Sequence, residues 1–142
     1  MPIEKLATRD VVTADEDATL KEVANRMRSE GVGSIIIAAE NKPVVIMTDR
    51  DLAFAAADGD DMDSSTVRER MSEDVKTFNA EIEGYDAREE MSGADVRRFP
   101  VVDDEGELVG IVTLDDVVAT VGRELEQVAA IIERQSPDYS PA

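Results

Sequence analysis

Two threonine–aspartate pairs combine the spacing of a helix start with side chains that could bind a ligand. Thr48 and Asp51 follow one continuous apolar run, and Thr113 and Asp116 follow another, with 65 positions (113 − 48) between the two threonines. An apolar run of this length predicts a buried strand, and Thr-x-x-Asp before a further apolar segment predicts a helix N-terminus. Each pair therefore places a hydroxyl and a carboxylate where a strand runs into a helix.

The residues alone leave two interpretations of these junctions open. In a capping box, the Thr oxygen accepts a hydrogen bond from a first-turn N–H group, and the Asp carboxylate accepts one from the Thr N–H. In a ligand site, free N–H groups at the helix start bind phosphate, and the carboxylate accepts from ribose hydroxyls. Capping needs no second, facing junction, so the duplication favours a ligand site at one or both.

The segments around the junctions repeat in the same order. In the first copy, periodicity and turn residues predict a helical lead-in at 3–9, a strand at 10–14, a helix from Asp17 or Thr19 to about Glu30, strands at 34–39 and 44–47, and a helix from Thr48 to about 58. A polar linker, 58–65, carries aspartates without the spacing of a calcium loop. The second copy is predicted at 66–71, 74–78, 82–91, 98–103, 108–112 and 113–121. The predicted fold is α/β (α+β), with βαββα repeats at 1–60 and 61–122.

An extra helix is predicted after Gly122-Arg123, ending at about Gln135 within a C-terminal segment, 123–142. Its apolar positions are Leu125, Val128, Ala129 and Ile132, which share one helix face. That face is either core packing or a dimer contact, and the sequence does not choose between them.

The composition excludes several classes of function. With 33 acidic and 15 basic residues, the net charge of −18 disfavours nucleic acid and anionic membranes as partners. The acidic excess is spread along the whole chain, a pattern that resembles proteins of halophilic archaea. The chain has no histidine and no cysteine, which disfavours catalysis and thiolate metal sites, so we predict neither an enzyme nor a metal centre. No apolar run is long enough for a membrane helix, and the N-terminus lacks a signal-peptide pattern, so we expect a cytoplasmic protein.

Two βαββα copies that each close on an apolar-apolar-Thr-x-x-Asp junction resemble a pair of CBS (cystathionine beta-synthase) domains, a Bateman module. The resemblance extends from about residue 3 to 122 and includes Val-Gly-Ser-Ile at 32–35, the segment 96–103 and Gly-Ile-Val-Thr at 110–113. It implies a pseudo-twofold axis between the repeats and two related clefts for adenosine-containing ligands. The junction Asp would bind the ribose, the junction Thr would hold ribose or phosphate, and backbone near the strands would contact the base.

Carried over residue by residue, the resemblance implies two sets of ligand-binding residues. One site would use Thr13, Ser34, Ile35, Thr48 and Asp51, with Arg50 as a phosphate partner. The other would use Thr77, Arg98, Phe99, Pro100, Thr113 and Asp116.

The two implied sites differ in charge and in backbone access. Arg50 suits phosphate at a helix start, whereas Asp115 holds that position in the second copy and would repel phosphate, unless Arg97 and Arg98, or Arg68 and Arg70 in the preceding segment, offset the charge. Gly110 fits the family pattern, whereas Val45 at the matching position could crowd a ligand. We therefore expect one competent site and one weak site.

The sequence supports a regulatory module that binds an adenine nucleotide, with AMP the first candidate, or S-adenosylmethionine. No cofactor is required, and the expected partners are a second copy of the chain and an unknown regulated protein. The alternative is a dimeric interaction scaffold whose ligand clefts are vestigial.

Overall fold

A computed structural model describes residues 1–71, 75–93 and 97–135 of the chain. The first repeat contains a 3-10 helix at Ile3–Lys5, β1 at Thr13–Asp15, α1 at Leu20–Glu30, β2 at Ser34–Ala39, β3 at Lys42–Thr48 and α2 at Asp49–Ala57. The second contains α3 at Val67–Arg70, β4 at Phe78–Asn79, α4 at Gly84–Ser92, β5 at Arg98–Val102, β6 at Leu108–Thr113 and α5 at Leu114–Gln135. The predicted fold class and element order are confirmed.

Three predicted elements differ from the structure. β1 begins at Thr13 rather than at residue 10, and β4 consists of Phe78–Asn79 alone, while the predicted start of that strand at Asp74 lies outside the described residues. The predicted break at Gly122-Arg123 is wrong, because α5 is one continuous helix of 22 residues. A single glycine costs a helix interior only about 1 kcal/mol, which the surrounding helix formers outweigh.

The two three-stranded sheets have the same topology and the same register. The first strand of each runs parallel to the middle strand, which pairs antiparallel with the third. Ser34 pairs with Thr48 in one sheet and Arg98 pairs with Thr113 in the other, and each middle strand has a register shift near its C-terminal end. The start of each middle strand therefore lies beside the Thr of its own repeat.

The lead-in segments are exchanged between the repeats. Ile3 is fully buried in the core of the second repeat, beside the edge-to-face pair Phe78 and Phe99, and its N–H donates to the Ile82 carbonyl at 2.7 Å. Val67 is buried in the core of the first repeat, and its N–H donates to the Ala18 carbonyl at 2.9 Å. Each hydrophobic core therefore depends on a segment that the sequence assigns to the other repeat.

Within the described residues, none of the helices has the length and apolar content needed to cross a membrane.

Candidate ligand-binding clefts

The first junction forms a complete capping box. Thr48 ends β3 and caps α2, and its oxygen accepts from the Asp51 N–H at 3.3 Å. In return, Asp51 Oδ2 accepts from the Thr48 N–H at 2.8 Å and from the Thr48 hydroxyl at 3.1 Å. Asp51 Oδ1 accepts no hydrogen bond from any described residue. The capping interpretation is therefore correct here, and it leaves one carboxylate oxygen for a ligand.

The second junction forms only half of that arrangement. Thr113 accepts from the Asp116 N–H at 3.1 Å, but no donor among the described residues reaches the Asp116 carboxylate. Asp116 is exposed, whereas Asp51 is partly buried. The same four-residue pattern thus produces two different local structures.

A cleft of about 880 Å³ adjoins the first junction and is bordered by both repeats. Its lining residues in the first repeat come from β3 and the start of α2. Those in the second repeat come from the start of β5 and the segment before β4. Five basic and three acidic side chains line it, namely Arg50, Arg70, Lys76, Arg97 and Arg98 against Asp51, Asp60 and Glu69. A third of the 15 basic residues of a chain with net charge −18 is therefore collected in one cleft.

Three of these five cations already have carboxylate partners. Arg70 binds Asp58 at 2.7 Å and Asp60 at 3.1 Å, and the hydrogen bond to Asp58 raises the pKa of this guanidinium above its ordinary value. The Lys76 ammonium lies 3.0 Å from a Glu90 carboxylate oxygen, and the Arg97 guanidinium lies 2.8 Å from an Asp115 carboxylate oxygen. The pair with Arg97 neutralises the Asp115 carboxylate that the sequence singled out as repulsive.

The other two cations of the cleft form no ion pair with residues 1–71, 75–93 or 97–135. The Arg50 guanidinium lies over the Phe54 ring, 5.1 Å from its centroid, and Arg98 is exposed at the start of β5. Both side chains are available for an anion, and they approach it from different repeats.

The structure regroups the predicted site residues. Thr48, Arg50 and Asp51 line the large cleft as expected, but Arg98, which the sequence assigned to the other site, lines the same cleft. Strand alternation points Phe99 into the core of the second repeat and Arg98 outward into this cleft, while its assignment to the other site stays a prediction.

Of the remaining predicted residues, Asp116 lines a second, smaller cleft, and the other seven line neither of these two clefts. Ile35, Phe99 and Pro100 are buried, so only their backbone groups could meet a ligand. The other four of these residues carry a hydroxyl group and are half-buried: Thr13, Ser34, Thr77 and Thr113.

The second cleft is small, about 330 Å³, and its strand edge is occupied by the chain itself. Thr8 and Ile111 exchange two backbone hydrogen bonds, at 2.8 and 3.0 Å. A Cβ on Gly110 would lie 2.9 Å from the Thr8 carbonyl oxygen and 3.0 Å from the Ala7 Cβ. Gly110 therefore admits the lead-in segment to the strand, a role in packing that the sequence analysis did not predict.

The lining residues that the predicted site omitted include one aromatic residue, Phe54, and three cations, Arg70, Lys76 and Arg97. Phe54 carried a usable signal, because it lies one helical turn after Asp51 and is an exposed aromatic residue. The other three come from segments distant in sequence, and only the packing of the repeats brings them to Thr48.

Comparison with known proteins settles the family. A family model described as CBS domain matches residues 3–58 and 67–123. The chain belongs to the CBS domain family. An uncharacterized protein of Methanopyrus kandleri, MK0525, is 36% identical over 132 residues, which cover 87% of this chain and 67% of that protein.

A second relative is an enzyme that this CBS domain pair matches only in part. Inosine-5'-monophosphate dehydrogenase of Korarchaeum cryptofilum is 33% identical over 114 residues, 80% of this chain but 23% of the enzyme. Because most of the dehydrogenase has no counterpart here, the match gives no support for its activity.

Solved CBS structures with bound nucleosides or nucleotides resemble the chain. A CBS domain protein of Pyrobaculum aerophilum complexed with AMP has a TM-score of 0.72 at 28% identity, covering 82% of this chain and 89% of that one. The CBS domain pair of MJ0100, complexed with 5-methylthioadenosine and S-adenosyl-L-methionine, has a TM-score of 0.72 at 26% identity, covering 87% and 98%. The cytosolic domain of the Mg2+ channel MgtE, complexed with ATP, has a TM-score of 0.71 at 29% identity, covering 80% and 46%.

Proposed function

We propose that this CBS domain pair is a regulatory module that binds a phosphate-bearing adenosine ligand, with AMP the first candidate, in the cleft at the Thr48–Asp51 junction. One observation carries the proposal: Arg50 and Arg98 line this cleft from opposite repeats without an ion pair to the described residues, in a chain of net charge −18. Arg28, Arg123 and Arg134 also form no ion pair within the described residues, but only Arg50 and Arg98 of this group line one cleft, and guanidinium groups are well suited to binding phosphate.

Each side chain at the junction has a distinct proposed role. The free Oδ1 of Asp51 accepts from a ribose hydroxyl, and its Oδ2 keeps α2 capped through Thr48. Arg50 and Arg98 bind the phosphate, assisted by the positive end of the α2 dipole. Thr13, Ser34 and Ile35, which the resemblance implied for contact with the base, do not line this cleft, and we assign them no contact with the ligand.

The charge of the cleft separates phosphate ligands from S-adenosylmethionine. Related proteins are complexed with AMP, ATP or S-adenosyl-L-methionine, so the family accommodates both kinds of ligand. S-adenosylmethionine has one carboxylate against a sulfonium and an ammonium group, so its net charge is positive, and it would meet Arg50 and Arg98, which have no carboxylate partner among the described residues. We therefore place AMP and ATP ahead of it.

We propose one bound ligand per chain. The set around Thr113 and Asp116 has an acidic residue, Asp115, where the first junction has Arg50, and the cleft beside Asp116 is the smaller one, about 330 Å³. The module has no proposed catalytic role, and its output passes to a separate regulated protein. The cytoplasmic placement stays a prediction of the sequence.

Calorimetric titration of AMP, ATP and S-adenosylmethionine in molar KCl tests the proposal. We expect saturable binding of AMP or ATP with a stoichiometry near one. Asp51→Ala should weaken this binding at least about tenfold, the loss expected for a charge-assisted hydrogen bond of about 1.5–3 kcal/mol. Asp116→Ala is the matched control at the second junction and should leave binding unchanged.

Asp51→Ala removes both a ligand contact and part of the α2 cap, and a second control separates these two effects. Glu22 forms the same capping box with Thr19 at the start of α1, away from the cleft. Glu22→Ala and Asp51→Ala should both cost about 0.5–2 kcal/mol of stability, but only Asp51→Ala should affect binding. Two equal binding events would contradict the single site, and no binding of any of the three ligands would favour the interaction scaffold.

A further inference from the structure

The polar linker, residues 58–65, reaches the large cleft through a group of ion pairs around Arg70. The Arg70 guanidinium donates to the Asp58 carboxylate at 2.7 Å and to the Asp60 carboxylate at 3.1 Å. Arg70 and Asp60 line the cleft, whereas Asp58 lies outside its lining. One guanidinium therefore carries two carboxylates at this part of the cleft, and the group has an excess of negative charge.

This group is fixed by the backbone on both sides. Asp58 ends α2 as its C-terminal cap, and the Asp60 N–H donates to the Ala55 carbonyl at 3.1 Å. Arg70 is the last residue of α3, which is anchored in the core of the first repeat by Val67. Because both segments are already ordered, the ion pairs form at little cost in conformational entropy. A ligand therefore does not displace them easily.

The group lies beyond the end of α2 that is farther from the proposed phosphate site. Thr48, Asp51 and Phe54 follow one another at intervals of three residues along the side of α2 that lines the cleft, and Asp60 comes after the helix has ended. A helix of nine residues is about 13 Å long. A ligand with one phosphate group ends at the arginines of the proposed site, whereas a chain of three phosphates that continues along α2 meets Asp60.

The charges around the cleft match one phosphate group better than three. Five cations and three carboxylates line the cleft, and Asp58, Glu90 and Asp115 pair with three of those cations from outside the lining. Six carboxylates (3 + 3) thus accompany five cations. Among the described residues only Arg50 and Arg98 remain without a carboxylate partner, so further phosphate groups would bring negative charge that no free cation of the cleft balances.

We propose that Asp58 and Asp60, by holding Arg70, limit the cleft to one phosphate group, so that it selects AMP over ATP. This inference rests on the proposed function and adds a preference between two nucleotides. Discrimination between similar ligands commonly needs a repulsive element against the wrong one as well as attraction to the right one. The Asp60 carboxylate supplies the repulsion, and its ion pair withholds Arg70 from a second phosphate.

Calorimetric titration of AMP and of ATP without Mg²⁺ into the whole chain in 1 M KCl tests the inference. We expect the dissociation constant of ATP to exceed that of AMP at least about tenfold, because like charges in contact are strongly unfavourable. Asp60→Asn keeps the shape of the side chain and removes its charge, so it should lower this ATP-to-AMP ratio about tenfold. The screening length of about 3 Å at 1 M salt leaves such a direct contact in force.

Arg70→Gln separates specificity from a purely structural role of the ion pair. It should raise the ATP-to-AMP ratio, because the Asp60 carboxylate loses its counter-ion and repels phosphate more strongly. If the pair only held the linker in place, both variants would break the same contact and move the ratio in the same direction. Asp63→Asn is the matched control, since this linker carboxylate pairs with Lys21 at 3.0 Å outside the cleft lining. It should leave both dissociation constants unchanged.

The outcomes distinguish this inference from the proposed function. AMP binding with an ATP-to-AMP ratio that Asp60→Asn and Arg70→Gln leave unchanged, or move in the same direction, would overturn the inference alone. Binding of ATP more tightly than AMP by the unmodified chain would also overturn it. No binding of either nucleotide would overturn the proposed function together with the inference. If Asp60→Asn does not fold, a fall in the ratio for Arg70→Gln still contradicts the inference.

Discussion

Gly110 illustrates how a single residue distinguishes the two repeats. The lead-in backbone at Ala7 and Thr8 lies so close that a Cβ on Gly110 would be within 3.0 Å of both residues. Its counterpart Val45 instead contributes to the wall of the large cleft. The absence of a side chain at Gly110 thus admits the lead-in segment to β6, whereas the counterpart of Thr8 in the other copy, Ser72, lies outside the described residues.

We expect Gly110→Val to lower the free energy of unfolding by about 1–3 kcal/mol, because the added atoms overpack the contact with Ala7 and Thr8. Urea unfolding followed by circular dichroism measures the change. Gly122→Ala is the control, since a Cβ there meets nothing within 4 Å and alanine is the better helix former. It should gain about 0.5–1 kcal/mol. Equal stability of Gly110→Val and the unmodified chain would show that the lead-in does not hold this strand.

At the scale of elements, the exchanged lead-ins tie the two repeats into one folding unit. The 3-10 helix completes the core of the second repeat through Ile3, and α3 completes the core of the first through Val67. The backbone bridges are equivalent as well, with Pro2 opposite Glu83 and Thr66 opposite Thr19. Neither repeat retains a complete core when the other unfolds.

This arrangement predicts a single calorimetric unfolding transition for the chain. Ile3→Ala should cost about 2–5 kcal/mol and move that one transition to lower temperature, because a fully buried side chain is removed. Val67→Ala is the reciprocal variant and should move the same transition. Two separate transitions, of which Ile3→Ala moved only one, would mean that the repeats unfold independently.

At the scale of the whole molecule, electrostatic repulsion opposes the compact state. The net charge is −18, and the ion pairs outside the large cleft are mostly between exposed groups, each of which contributes little. Repulsion of this kind is long-ranged, and it weakens as the screening length falls from about 10 Å at 0.1 M salt to about 3 Å at 1 M.

We expect the melting temperature to rise by about 3 °C or more between 0.1 and 1 M KCl, equivalent to roughly 1 kcal/mol for a chain of this size. Thermal unfolding followed by circular dichroism measures it. If screening is the cause, most of the gain comes below 1 M KCl, whereas salt exclusion would give a steady rise above it. A melting temperature that falls with salt would contradict the halophilic interpretation.

Local sequence determined the repeats, the element order and both helix starts, because strand and helix periodicity and Thr-x-x-Asp capping act within a few residues. It did not determine that Thr48 and Asp51 form a complete capping box while Thr113 and Asp116 form half of one. The same Thr-x-x-Asp pattern forms two different local structures because the residues around each copy differ.

The tertiary structure alone decided which residues share a cleft. Arg98 follows Thr48 by 50 positions (98 − 48) and was assigned to the other site, since its own sheet places it beside Thr113. Packing of the two repeats brings its side chain to the cleft that Arg50 also lines. The exchange of Ile3 and Val67 and the occupation of the second strand edge by Thr8 have the same origin. Contacts between segments distant in sequence have no local pattern, and they depend on how the two sheets and their helices pack.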